Sequence, residues 1–223
     1  MGKRTLPKTV ASALPFQCYV TYHPSLVLKG EYHYEKRIEE DFRRLLQGTL
    51  KPPADQLPDA RAVGFDSEYD SEGRLLTLGV ASPTEAMAIE VSGDKAPIGI
   101  SKVLKKAEVI VGHSVPGDLD YLVRLGLAKD TWLRGVDIYD SLLLARMYDE
   151  NRGKGAYGLE TLMLSEFNTD SWKAETEKLI KATGNAADWS PEQRIARCRL
   201  DAWATIMLAK HFGGKLNGSP GAT

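Results

Sequence analysis

Cysteine is scarce in this chain of 223 residues, and long apolar runs are absent. The only two cysteines, Cys18 and Cys198, lie far apart, so neither a disulfide framework nor a cysteine-rich zinc site can be built. No apolar run approaches the roughly 18 residues of a membrane-spanning helix. The apolar stretch near the start is short and contains Pro15, which makes a secretory signal a poor interpretation. We therefore expect an intracellular protein.

Neither sign of charge is in excess. The chain has 29 Lys and Arg residues against 30 Asp and Glu residues, for a formal net charge of −1. This balance excludes a protein that grips nucleic acid by bulk positive charge. A nuclease stays possible, because a site that gathers metal-binding carboxylates among Lys and Arg residues also sums to about zero. With 43% hydrophobic residues, the composition allows a sizeable core.

Proline divides the chain near residue 50. The segment 51–60 contains Pro52, Pro53 and Pro58. Because proline lacks an amide donor and disfavours helix just before it, we predict a linker there. The sequence thus predicts four segments. They are an N-terminal appendage over 1–50, this linker over 51–60, a main domain over 61–213 and a flexible tail over 214–223.

The main domain alternates apolar strands with helices, which predicts an α/β sheet with helical cover. The last helix is the best marked, because Ser190 precedes Pro191, and Gln193 follows Ser190 at the spacing of a capping box. Gly213 and Gly214 predict the end of that helix. The predicted strands of the main domain are 62–65, 75–81, 86–91, 109–111 and 136–138. Besides the last helix, the predicted helices are 99–106, 119–127 and 141–147.

Asp66 and Glu68 directly follow the first predicted strand of the main domain, 62–65. On an extended chain, residues two apart point to the same face, so both carboxylates would project together at the end of the sheet. Two adjacent carboxylates repel each other unless something neutralises them, and a divalent cation does so well. The alternative is a solvated pair of acids in a turn.

Two further acids have both a structural and a functional interpretation. Asp118 follows the turn Gly112-His113-Ser114 and begins a predicted helix, where it would either cap the helix or contribute to a site. Asp201 lies beside the apolar stripe of the last helix, so it needs a partner. That partner is either Arg197, one turn earlier in an ordinary ion pair, or a metal shared with Asp66 and Glu68.

The order of the motifs is more informative than any one of them. The chain shows strand–Asp-x-Glu, then strand–Gly-His-Ser-x3-Asp, then Asp-Ser-Leu-Leu-Leu-Ala-Arg at 140–146, then helix–Asp-Ala. Over about residues 60–212 this set resembles the DEDD superfamily of 3′→5′ exonucleases. It is similar in particular to the proofreading domains of bacterial and phage family-A DNA polymerases. The resemblance implies a ribonuclease-H-like fold with a mixed sheet flanked by helices.

The resemblance also implies the roles of five acids. Asp66 and Glu68 fill the first motif, Asp118 the second and Asp201 the third, as catalytic and metal-binding residues. Two divalent cations, Mg²⁺ or Mn²⁺, would serve phosphodiester hydrolysis. Asp66 would bridge both, Glu68 and Asp201 would hold the nucleophile-side cation, and Asp118 the second. Asp140 matches a frequent acid between motifs that is usually structural. The implied partners are a single-stranded DNA 3′ end and a DNA polymerase, in the cytoplasm of a bacterial or phage-infected cell.

In the family that the chain resembles, a Tyr or a His orients the attacking water, and this chain has neither residue at the matching positions. Arg197 and Ala196 occupy those positions, and neither can orient water in the usual way. Three interpretations are open: weak activity, substitution by Tyr157, or binding of the scissile phosphate by Arg197. Ser114 is a further candidate substrate contact. The alternative functions are a catalytically silent DNA-end-binding or scaffold domain and an RNA-trimming exonuclease of the same superfamily.

The N-terminal segment carries a second resemblance. The run Thr21-Tyr22-His23-Pro24-Ser25 and the helix-like stretch after it, within 16–46, look like the C-terminal end of family-4 uracil-DNA glycosylases. The match implies a remnant of a glycosylase–exonuclease–polymerase fusion, with His23 as a relic and no expected glycosylase activity. The alternative is an ordinary loop.

Two features suggest how DNA would be contacted. The polar stretch 168–188 is predicted to be a mobile segment over the substrate groove. Several basic residues are predicted to track phosphates, the alternative being a solvated face: Lys102, Lys105, Lys106, Arg146, Arg152 and Lys154.

Overall fold

The computed structural model describes residues 50–92, 97–124, 135–153, 155–167, 169, 171–173 and 185–216. The chain divides into two units, 1–50 and 51–223, and every described residue except Leu50 belongs to the second. The predicted appendage, the glycosylase-like stretch and Lys154 therefore lie outside the described residues, apart from Leu50.

Six strands form one mixed sheet in the order β1-β4-β3-β2-β5-β6. β3 is antiparallel to both of its neighbours, whereas the β1–β4, β2–β5 and β5–β6 pairs are parallel. The strands are β1 (Ala54–Asp55), β2 (Ala62–Tyr69), β3 (Leu75–Ala81), β4 (Glu85–Glu90), β5 (Val109–Gly112) and β6 (Asp137–Asp140).

Helices cover both faces of this sheet. On one face, Phe65 of β2 packs in a fully buried cluster with Ile100 and Leu122, which come from two different helices. On the other face, the longest helix lies against β2, β3 and β4. The helices are α1 (Ile98–Lys106), α2 (Pro116–Arg124), α3 (Ser141–Tyr148), α4 (Leu159–Phe167) and α5 (Pro191–Leu216). The predicted mixed α/β sheet flanked by helices is confirmed, and it is consistent with a ribonuclease-H-like fold.

Two glycines allow α5 to lie directly on the sheet. A Cβ atom on Gly64 of β2 would overlap the backbone oxygen of Ala202, and a Cβ on Gly79 of β3 would lie 2.8 Å from the oxygen of Cys198. Any larger residue would push the helix away. The close approach brings the side chains of α5 within reach of those on β2.

The ends of α5 were predicted with unequal success. The capping box is confirmed, because Ser190 Oγ accepts from the backbone N–H of Gln193 at 3.3 Å, and Gln193 Oε1 accepts from that of Ser190 at 3.0 Å. The predicted stop at Gly213 is wrong, because the helix continues to Leu216. Its last turns are anchored by Phe212, which is fully buried and packs against Tyr148 of α3. Among the described helices, none combines the length and apolar character that crossing a bilayer would require.

Candidate metal centre

β2 positions Asp66 and Glu68. The pairing of β2 with β5 ends at Gly64, and the two acids lie on the part of β2 that continues beyond it, opposite Gly79 and Thr77 of β3. They therefore lie inside a strand rather than after one, and the predicted strand end at residue 65 is wrong. The polar residues of β2 stay extended because β3 pairs with them, with a register shift between Glu68 and Tyr69. The prediction that both carboxylates share one face is confirmed by the cluster that they form.

Asp201 of α5 completes this cluster. One carboxylate oxygen from each of Asp66, Glu68 and Asp201 lies within 4.8 Å of the others; we call these three residues the acid cluster. Asp201 is only 4% exposed. Two sequence-distant elements, β2 and α5, thus place three hard oxygen ligands around one point, and the acid cluster can hold a metal ion.

The electrostatics of the acid cluster favour a cation. Burial, together with the charges of Asp201 and Glu68, raises the pKa of Asp66 well above its ordinary value. Burial and the charge of Asp201 raise the pKa of Glu68 to about 7. Oδ2 of Asp66 is buried and has no hydrogen-bond partner among the described residues. A buried carboxylate oxygen without a donor is costly, and a bound cation would satisfy it.

Asp118 lies beside the acid cluster but is not one of the three. It belongs to the first turn of α2, where the helix dipole favours negative charge, and the hydroxyl of Ser67 donates to its Oδ1. Burial raises the pKa of Asp118 to about 6, and the charges of Asp140 and Asp201 act in the same direction. Asp118 is therefore within electrostatic reach of Asp201, across the end of β2.

Asp140 has the structural role that was expected of it. Its carboxylate accepts hydrogen bonds from the backbone N–H groups of Ser114 at 3.0 Å, Val115 at 3.1 Å and Leu142 at 2.9 Å. It thereby caps α3 and fixes the turn before α2. Ser114 has a φ of 64°, is exposed, and stays a candidate substrate contact on sequence grounds alone.

Tyr157 contacts residues outside the acid cluster. Its hydroxyl donates to the backbone oxygen of Asp149 at 2.6 Å, and the guanidinium of Arg146 lies 5.4 Å from its ring centre. Its own backbone oxygen accepts from Nε2 of His113 at 3.0 Å. These contacts explain the position of Tyr157 without the acid cluster, so they give no support to its proposed role as a substitute for the missing Tyr.

Arg197 lies against the acid cluster. Its Nε is 3.3 Å from Oε1 of Glu68 and 3.7 Å from Oδ2 of Asp201. The guanidinium stacks 4.8 Å from the ring centre of Trp189, and the side chain is 13% exposed. The predicted ion pair with Arg197 is present, and Asp201 also lies in the acid cluster, which could hold a metal ion.

Sequence reasoning did not predict two contacts of Asp201. Nζ of Lys173 lies 2.7 Å from Oδ2 of Asp201, and Nε1 of Trp172 donates to Oδ1 of Asp201 at 2.7 Å. Both come from the polar stretch 168–188, of which the structure describes 169, 171–173 and 185–188. Position in a polar stretch was the only signal, and it does not show which side chains turn inward.

Two of the predicted phosphate-tracking residues, Lys106 and Arg152, form ion pairs with acids. Lys106 forms an ion pair with Asp59. The residues after Lys106 pair with the first residues of β2, which lie at the opposite end of β2 from the acid cluster. Arg152 is 14% exposed and pairs with Glu166 at 2.6 Å. Both residues therefore have acidic partners in the fold, and phosphate tracking by the basic residues stays a prediction.

The fold and the acid cluster together define an α/β domain with a candidate metal centre. No protein-family model matches the chain, and no curated protein matches it. The assignment of the domain to a superfamily therefore depends on its own residues.

Proposed function

We propose that this domain is a metal-dependent 3′→5′ exonuclease of the DEDD superfamily that removes nucleotides from DNA 3′ ends. The single observation that carries the proposal is the acid cluster, in which Asp66, Glu68 and Asp201 come within 4.8 Å of one another. The unpartnered oxygen of Asp66 supports it, because that atom needs a cation more than the other cluster oxygens do.

A phosphodiester is anionic and repels hydroxide, so its hydrolysis needs concentrated positive charge. Two divalent cations, Mg²⁺ or Mn²⁺, would supply an activated water and stabilise the leaving 3′ oxygen. As the resemblance implies, Asp66 would be the ligand shared by both cations, and Glu68 and Asp201 would hold the first. Asp118, across the end of β2, would hold the second.

Arg197 has a restricted role in this proposal. A guanidinium stays protonated at neutral pH, so Arg197 cannot accept a proton from an attacking water. Its contacts with Glu68 and Asp201 hold those two carboxylates in place. It also adds positive charge where a phosphate oxygen would lie.

The biological setting is part of the proposal and follows from the resemblance. A proofreading exonuclease acts on the single-stranded 3′ end that a DNA polymerase leaves after a mismatch. The partner would be a polymerase domain or subunit, and the location intracellular.

A catalytically silent DNA-end-binding domain is the second candidate. It is favoured by the two cations that already pair with the acid cluster, Arg197 and Lys173. A silent domain need not bind Mn²⁺, whereas a nuclease must. Titration with Mn²⁺ therefore separates the two candidates before any activity is measured.

The test is a degradation assay on a 5′-labelled single-stranded DNA oligonucleotide with Mg²⁺ or Mn²⁺. We expect labelled products that shorten one nucleotide at a time, and loss of at least a hundredfold in rate for Asp66→Asn. The matched control is Asp120→Asn, an exposed acid on the same helix as Asp118. An RNA oligonucleotide of the same sequence tests the RNA-trimming alternative. Equal rates for wild type and Asp66→Asn would contradict the proposal.

A further inference from the structure

Both carboxylate oxygens of Asp201 are engaged by consecutive residues. The indole N–H of Trp172 donates to Oδ1 and the ammonium of Lys173 lies on Oδ2, each at 2.7 Å. Lys173 is 13% exposed, and the carboxylate that it contacts is almost fully buried. A lysine held this far inside, on an oxygen of the acid cluster, occupies space that a metal ion would also use.

A second acid holds these residues in place. Oε1 of Glu160, in the first turn of α4, accepts from Ser171 Oγ at 2.8 Å, from the backbone N–H of Trp172 at 2.8 Å and from that of Lys173 at 2.9 Å. We call residues 171–173 the clip. Three hydrogen bonds to one ionisable oxygen fix its backbone, so the side chains of Trp172 and Lys173 are presented to Asp201 in a defined geometry.

Trp172 and Lys173 differ in whether they allow a cation to bind to Asp201 beside them. A carboxylate oxygen can accept a neutral N–H bond and coordinate a cation at the same time, so the indole of Trp172 can stay. The ammonium of Lys173 and a divalent cation repel each other at this distance in a partly dry site. Lys173 has a flexible four-carbon stem, which lets the ammonium leave while the clip backbone stays on Glu160.

We propose that Lys173 and a divalent cation compete for Asp201, so that Lys173 sets the metal affinity of the acid cluster. This inference rests on the proposed function, because it takes the acid cluster to be a metal centre. Lys173 neutralises Asp201 when no cation is bound. Once displaced, its ammonium lies beside the site and adds positive charge for an anionic substrate.

The test is a Mn²⁺ titration of the full chain at pH 8.0, followed by the electron paramagnetic resonance signal of the free ion. At that pH Glu68, whose pKa is raised to about 7, is largely ionised. We expect Lys173→Met to bind Mn²⁺ about tenfold to a hundredfold more tightly than wild type, because the charge-assisted contact no longer has to be broken. The matched control is Lys210→Met, an exposed lysine on α5, which should bind as wild type does.

A second variant and a second signal test the proposal even if Lys173→Met fails to fold. Glu160→Gln weakens the hold on the clip while keeping Asp201 and Lys173, and should also tighten Mn²⁺ binding. Tryptophan fluorescence should change with Mn²⁺ at the midpoint of the binding curve. That change should be smaller in Trp172→Phe, which still binds the ion, and Trp189, stacked on Arg197, should account for the remainder.

The outcomes are distinct. Tighter binding in Lys173→Met and Glu160→Gln supports the competition. Unchanged or weaker binding in both, with wild type binding normally, overturns the role of Lys173 and leaves the metal centre intact. If neither wild type nor the folded variants bind Mn²⁺ at millimolar concentrations, the metal centre fails, and the proposed function and this inference fail with it.

Discussion

Nε of Arg197 lies 3.3 Å from Oε1 of Glu68, a residue 129 positions earlier in the chain, and 3.7 Å from Oδ2 of Asp201 on its own helix. One guanidinium thus joins the two elements that build the acid cluster. Here a permanent cation holds the carboxylates of β2 and α5 together.

Loss of Arg197 should destabilise the metal-free protein. Arg197→Met keeps the aliphatic stem but leaves Glu68 and Asp201 with less compensating charge, which should cost about 3 kcal/mol in the free energy of unfolding at pH 8. Urea denaturation measures this value. The control is Arg199→Met, on the same helix, whose partner Asp55 is exposed, and whose loss should cost less than about 1 kcal/mol. Equal effects of the two substitutions would contradict the account.

The approach of α5 to the sheet should tolerate no side chain at Gly64. Gly64→Ala would place a methyl group on the backbone oxygen of Ala202 and should cost about 2 to 3 kcal/mol or more. The control is Gly214→Ala on the same helix, where an added Cβ meets nothing within 4 Å and should stabilise the helix by about 0.5 to 1 kcal/mol. Thermal unfolding of both variants measures the contrast. A neutral Gly64→Ala would mean that α5 does not lie directly on β2.

Sequence reasoning predicted what local patterns determine. Ser190, Pro191 and Gln193 interact within one helical turn, so their spacing was enough to predict the start of α5. The strand over 75–81 was predicted with the bounds of β3, because apolar residues fill it. The shared face of Asp66 and Glu68 follows from strand geometry alone.

The rest depends on contacts between distant residues. β2 extends through four further residues because β3 pairs with them, and no property of the residues 66–69 alone reveals that partner. The helix α5 runs past Gly213 because Phe212 is buried against α3. The contact of Lys173 with Asp201 depends on Glu160, which holds the clip from another helix. Such features can be found only once the fold brings the residues together.

Stability without metal should fall as pH rises through the range in which Glu68 titrates. The folded state raises the pKa of Glu68 from 4.5 to about 7, so between these values the folded state binds more protons than the unfolded state. The free energy of unfolding should therefore decrease with pH in that window, by about 1.4 kcal/mol per pH unit for one such group. The contribution is constant above about pH 7.

Urea unfolding of wild type and Glu68→Gln in chelator, between pH 5 and pH 8, measures this dependence. Glu68→Gln should show the shallower decrease, because Gln does not titrate. With saturating Mg²⁺ the wild-type trend should reverse, because metal binding requires ionised carboxylates and therefore strengthens as pH rises. Parallel pH profiles for the two proteins in chelator would contradict the raised pKa of Glu68.

We propose that the acid cluster is a metal centre with Asp66 as the ligand shared by two cations. Its most direct test is a crystal structure of the full chain soaked with Mn²⁺, with data collected to locate manganese by anomalous scattering. We expect two anomalous peaks about 3.5 to 4 Å apart, both on Asp66, one also on Glu68 and Asp201, and the other beside Asp118. Anomalous peaks elsewhere only, with Lys173 and Arg197 still on the carboxylates of the acid cluster, would contradict it.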